Sequence, residues 1–138
     1  MVVVSDTSPL INLAAIDHLW LIPKIYGQVI IPQTVFNEIV VVGAGEPGAD
    51  KIQSADWVTV KICPPSSLLI QLMHDLDPGE AEAIALAVEI GADRILMDEK
   101  RGRQIALHHS VKPVGVLGVL LRAKPENLIL RNVGLTKI

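Results

Sequence analysis

Aromatic side chains are nearly missing from this chain: they make up 3% of its 138 residues, although 50% are hydrophobic. The core must therefore be aliphatic, built from Val, Ile, Leu and Ala. That suits a sheet flanked by helices, where strands buried on both faces read as unbroken branched runs. So few rings also argue against a base-stacking platform, which normally needs a cluster; Trp20, Trp57 and Tyr26 are assigned to the core. Cysteine is scarcer still. Cys63 stands alone, which excludes an internal disulfide, fits a reducing cytoplasm and reads as a buried, inert thiol. No apolar run approaches the roughly 18 residues of a membrane span. The start MVVVSD has no positive region, so a signal peptide is not expected. The histidines are not spaced as zinc ligands beside a cysteine.

Strong charge of either sign is also lacking. A net charge of −3 gives the whole chain no pull on a polyanion. Locally the balance differs. Lys100, Arg101, Arg103 and Lys112 enclose His108 and His109 with no acid after Lys100, and Arg122, Lys124, Arg131 and Lys137 face Glu126 alone. Each segment reads as a polyanion footprint or as a solvated face, and charge alone favours the second.

What is present is an alternation of short apolar runs and helical patterns. Val2 to Ser5 reads as a buried strand, and Ser8 followed by Pro9 as a capped helix start. Asp17 is expected to cap a short helix HLWLIPKIY that Pro23 kinks or breaks. QVII forms a second strand. TVFNEIVVV follows with Val35, Ile39 and Val42 on one face at helical spacing, although its VVV ending fits a strand equally well. Residues 43 to 50 read as a loop, WVTVKI as an edge strand and 66 to 75 as a helix. The longest helix opens at Asp77-Pro78-Gly79-Glu80 and ends near Gly91. RILM, a basic helix from about Glu99 to His109, a short KPVG strand or turn, the helix VLGVLLRAK and a tail complete the chain. Strands alternating with helices mean α/β with a mainly parallel sheet.

Four acids stand out within this alternation. Asp6 ends VVVS, Asp98 ends RILM, Glu38 follows QVIIP by about two helical turns, and Glu80 opens EAEAIALAVEI. Ligands of open α/β sheets lie beyond the carboxyl ends of the strands. Acids gathered there repel one another unless protonated or bridged by a cation, so a divalent metal site is the reading to test. Asp6 is either functional or a helix cap, and function is favoured because Ser8 can cap. Asp98 is preferred over Glu99, which suits the first turn of the next helix. Glu38 is equally consistent with a ligand and with a solvent-facing position beside Asn37. Glu80 has the N3 spacing of a capping box with Asp77, a role compatible with ligation. It shares a face with Ile84, Ala87 and Val88, whereas Glu82 lines up with Leu86 and Glu89, so Glu80 is the better candidate. Lys100, Arg101 and Arg103 lie where they could grip substrate phosphates beside Asp98, or form a solvated helix face.

SDTSPLI at the start, Glu38 in the helix after the second strand, GEAEAIALA at 79 to 87 and MDEKRGRQIA at 97 to 106 together resemble a PIN domain. The likeness is to the small prokaryotic PIN-like proteins related to VapC toxins, and it covers nearly the whole chain. It implies one domain over residues 1–138 with a three-layer α/β/α fold. It further implies an Mg²⁺- or Mn²⁺-dependent ribonuclease, often a toxin held inactive by a cognate antitoxin. Carried over by position, the metal-binding and catalytic acids are Asp6, Glu38, Glu80 and Asp98, with Ser8 supporting the first aspartate. Two departures are notable: many relatives have Asp where this chain has Glu80, and Leu96-Met97 replace the threonine common before the last aspartate.

Competing readings follow from other features. A PIN-like module could keep RNA or a partner protein without turnover. GAGEPG at 43 to 48 fits a dinucleotide-binding glycine loop after IVVV, but Pro47 lies inside it, and no acid ends the next strand. An aspartyl phosphatase with Asp6 as nucleophile leaves Glu38 and Glu80 without a part. Finally VGVLGVLL, with Gly115 and Gly118 permitting close approach, is a candidate homodimer contact, although a core helix has the same look.

Overall fold

Val3 and Val4 are both buried, yet they face opposite layers of the molecule. Neighbouring side chains of a strand point to opposite sides of the sheet. Val3 packs with Leu10, Leu13, Ile31, Val35 and Ile39, and Val4 with Ile84, Leu86, Ile95 and Met97. A computed structural model describes residues 1–124. Its strands are β1 (Val3–Ser5), β2 (Val29–Pro32), β3 (Val58–Lys61), β4 (Arg94–Leu96) and β5 (Lys112–Val114), all parallel in the order β3-β2-β1-β4-β5. Helices α1 (Thr7–Ala15), α2 (Leu21–Tyr26), α3 (Gln33–Phe36), α4 (Ala49–Gln53), α5 (Ser67–Leu72), α6 (Pro78–Ile90), α7 (Lys100–His108) and α8 (Val116–Ala123) flank the sheet. The result is the three-layer α/β/α arrangement, and its core is aliphatic on both sides of the sheet.

From β1 the chain proceeds outward through β2 to β3, then returns to lay β4 on the other side of β1. The direction of winding reverses between β1 and β4, which is where such sheets open a crevice at their carboxyl ends. Ser5 pairs with Leu96 across this junction, and the Asp6 N–H donates to the Leu96 carbonyl at 3.0 Å. Asp6 and Asp98 therefore flank the reversal point.

Several local expectations need correction. Ser8 does not cap α1; Asp6 occupies the cap position and Ser8 is the second helical residue. Asp17 closes α1 instead of opening α2, in a left-handed conformation (φ 60°) that Asp tolerates. Because α2 starts only at Leu21, Pro23 falls in its first turn, where a missing N–H costs nothing and no break results. Val35 and Ile39 are buried as the helical spacing requires, but Val42 is 82% exposed. The reason is that α3 runs on as a π-helical turn over Asn37–Val42. Its wider i→i+5 bonding, seen in Gly43 N–H to the Glu38 carbonyl at 3.0 Å, rotates Val42 off the face. The same turn removes the dinucleotide reading, since IVVV is helical and no strand leads directly into GAGEPG.

Burial along α6 also departs from the two-face reading. Leu86, on the side of Glu82, is buried, whereas Val88, on the side of Glu80, is exposed. Alanines at 81, 83, 85 and 87 let the helix pack closely almost all round. Trp20 is 44% exposed rather than core, Trp57 is half-buried and Tyr26 is buried. Arg122 lies over the Tyr26 ring, 5.7 Å from its centroid, so it packs against the protein's own surface. Arg131, Lys137 and the tail lie outside the described residues. Among the described residues no helix is long and apolar enough to cross a membrane.

Candidate metal centre

Asp6 is the first residue beyond β1, and its side chain is only 3% exposed. Although it stands at the cap of α1, it makes no side-chain cap bond. Burial pushes its pKa up to about 7 against the opposing pull of the Thr7 backbone N–H, and the charges of Glu80, Asp77 and Glu38 push it further. Asp6 thus sits among other acids in an apolar setting, the arrangement that a bound cation would relieve.

Glu38 reaches the same crevice from the π-helical turn after β2. Burial raises its pKa first, then Asp77 and Glu82, with the Thr7 hydroxyl acting in the opposite direction. That hydroxyl is near, but neither Thr7 Oγ1 nor Glu38 Oε1 completes a hydrogen bond among the described residues, and both atoms are buried. A buried carboxylate oxygen without a donor is costly unless something else occupies its lone pairs.

Glu80 is delivered by the start of α6. Its N–H donates to Asp77 Oδ1 at 2.9 Å, and the Asp77 N–H donates to Glu80 Oε1 at 3.3 Å, completing the capping box. The carboxyl is buried and its pKa raised, chiefly by that burial, next by the charge of Asp77, with Glu99 adding to it. Asp77 consequently acts on Asp6, Glu38 and Glu80 alike. Sequence reasoning gave Asp77 a capping role alone; nothing in its spacing reports which other elements meet it. Glu82 is half-buried and accepts from the Thr34 hydroxyl at 2.6 Å, which occupies it elsewhere.

Asp98 is placed differently. It follows β4 as expected, half-buried, but its carboxylate already has donors. Oδ2 accepts from Asn12 Nδ2 at 2.8 Å, and Oδ1 accepts from the Val116 N–H at 2.8 Å. The second bond puts a negative charge at the amino terminus of α8, where the helix dipole favours it. Gly115 is close by: a β-carbon there would lie 3.1 Å from Asp98 Oδ1, so this glycine serves Asp98 within the chain. The structure thus gathers Asp6, Glu38 and Glu80 into one electrostatic neighbourhood with Asp77, and holds Asp98 at the adjacent strand end by Asn12 and α8.

Among the candidate cations, Arg103 donates from Nη1 to the Asp98 carbonyl and is half-buried beside the crevice. Arg101 is turned to Asp75 at 3.2 Å in solvent, and Lys100 is exposed. Ser8 is half-buried. Cys63 is buried and its thiol pushed up to about 11, consistent with an inert role.

Among the described residues no three Asp, Glu, His or Cys side chains form a ready-made cage for a metal. The donors nevertheless fit a hard divalent cation. They are carboxylate oxygens without sulfur or imidazole, one of them orphaned, and Mg²⁺ needs only one or two carboxylates plus waters and substrate oxygens. An open, water-completed site suits this crevice; a closed structural site does not.

Compared with known protein families, the chain matches the PIN domain over residues 2–136. No curated protein matches it. PIN domains have a nuclease-type fold, and the match spans nearly the whole sequence in keeping with the parallel sheet described above. This chain belongs to the PIN-domain family.

Proposed function

We propose that this protein is a divalent-metal-dependent endoribonuclease that hydrolyses RNA phosphodiester bonds. Residues 1–138 would act as one domain, with Mg²⁺ or Mn²⁺ held by Asp6, Glu38, Glu80 and Asp98. The observation that carries this reading is the buried group of mutually repelling acids, with Glu38 Oε1 lacking a donor, at the strand ends of a PIN fold. A bound cation supplies Lewis acidity, polarising the phosphoryl oxygens and acidifying the attacking water. The protein's own part is to hold the acids in place. Asp98 is fixed in advance by Asn12 and the Val116 N–H, and Glu80 by its box with Asp77. Asp6 and Glu38, whose burial is only partly offset within the chain, would supply the remaining ligands, with Ser8 in the supporting role that the family resemblance implies. Arg103, with Lys100 and Arg101 further out, is the assigned contact for substrate phosphate.

The same reading makes the protein a cytoplasmic toxin restrained by an antitoxin, and a homodimer through α8, whose Leu117 and Leu121 are exposed while Val119 and Leu120 are core. The test combines calorimetric titration with Mn²⁺ and incubation with RNA, for wild type and Asp6→Asn. Metal uptake and cleavage are expected in wild type, and neither in the variant. Uptake without cleavage of any RNA would leave a binding module. Equal cleavage by Asp6→Asn would remove the site.

A further inference from the structure

Gly79 is the second residue of α6 and is buried. Glycine inside a helix weakens it relative to alanine, because more backbone freedom is lost on folding. Gly91, by contrast, ends the same helix at φ 64° with open space around it, an ordinary conformational use of glycine. Gly79 has no such backbone requirement. What surrounds it is Glu38: a β-carbon at 79 would collide with Glu38 Oε1 and stand 3.2 Å from Cδ. Glu38 Oε1 is the buried carboxylate oxygen that finds no donor. It is therefore packed against the bare backbone of α6, one residue from Glu80.

We infer that Gly79 is a positioning residue for Glu38: the missing side chain at 79 is the space that the Glu38 carboxylate occupies on its way to the acid cluster. This rests on the reading of that cluster as a cation site. The obstruction from an added methyl would meet the far end of a flexible side chain and no backbone. Gly79→Ala should thus fold, gain helix propensity, and turn Glu38 away from Asp6 and Glu80. The glycine keeps a weaker helix in exchange for a correctly placed acid.

The experiment is a double-mutant cycle in Mn²⁺ affinity, read by calorimetry on wild type, Gly79→Ala, Glu38→Ala and the pair. Gly79→Ala is expected to weaken Mn²⁺ binding tenfold or more in wild type and to add nothing in the Glu38→Ala background. An equal loss in both backgrounds would overturn the inference, because Gly79 would then be acting elsewhere. A second reading uses the metal-free protein: the carboxyl carbon resonance of Glu38 should move in Gly79→Ala. An unmoved resonance, or failure of Gly79→Ala to melt cooperatively, also overturns it. If wild type takes up no Mn²⁺ while the resonance moves, the metal reading fails and the positioning contact stands.

Discussion

A carboxyl group carried from water into an aliphatic crevice holds its proton to higher pH, and Asp6 does so to about 7. The consequence for stability has a definite sign. Between the ordinary value of 3.8 and about 7 the folded protein binds a proton at Asp6 that the unfolded chain has lost. Stability is therefore fully present below the unfolded value and falls as pH rises through that window. A tenfold difference in proton affinity between folded and unfolded chains is worth about 1.4 kcal/mol, so ionised Asp6 costs the metal-free protein on the order of a few kcal/mol. Metal-free wild type is expected to melt several degrees higher at pH 5 than at pH 8. Asp6→Asn should flatten that difference and raise the melting temperature at pH 8, as thermal scans would report. Since ligands bind metal deprotonated, Mn²⁺ affinity should weaken as pH drops below about 7. Asp98→Asn is expected to behave differently. Its carboxylate accepts two hydrogen bonds already, so the variant should lose about 1 kcal/mol of stability along with activity. That difference between the two acids was not legible in the sequence, where both simply end an apolar strand. Which oxygens have donors depends on Asn12 and Val116, 86 and 18 residues from Asp98.

Among the elements, the start of α6 was the most readable. Asp77, Pro78 and Glu80 stand at fixed short intervals, and a capping box is a local matter of hydrogen bonds within one turn. Its second role was hidden, because the charges of Asp77 and Glu38 meet only through packing of α6 against α3. The two roles can be separated. Asp77→Asn keeps a good cap while removing a charge, and should lower the pH at which Mn²⁺ affinity falls off. Asp77→Ala loses the cap as well, at about 1 kcal/mol in urea unfolding. The π-helical turn was illegible for a related reason. Val35, Ile39 and Val42 fit the ordinary helical period, and nothing local marks the extra residue in the turn. Yet that turn carries Glu38 to Gly79.

For the molecule as a whole, the reversal of strand order between β1 and β4 is what makes a crevice, and the acids at its lip repel one another, an arrangement that a bound cation would relieve. Anything that binds the folded state alone stabilises it by mass action, by about 2.7 kcal/mol at a hundredfold excess over Kd. Mn²⁺ should thus raise the melting temperature of wild type by several degrees and leave Asp6→Asn unmoved. An equal rise in both proteins would point to cation binding elsewhere on the surface.

The linear chain was enough for the class of fold, the strands and the longest helix with its cap, and it named the acids from which the proposed centre is built. Periodicity, caps and the oxygen chemistry of acids are short-range properties. It was not enough to tell that Asp77 joins the acids, that Asp98 comes already bonded, or that Gly79 makes room for Glu38. Those depend on contacts between residues distant along the chain, and such contacts exist only once the sheet has wound in its particular order and the helices have packed against it.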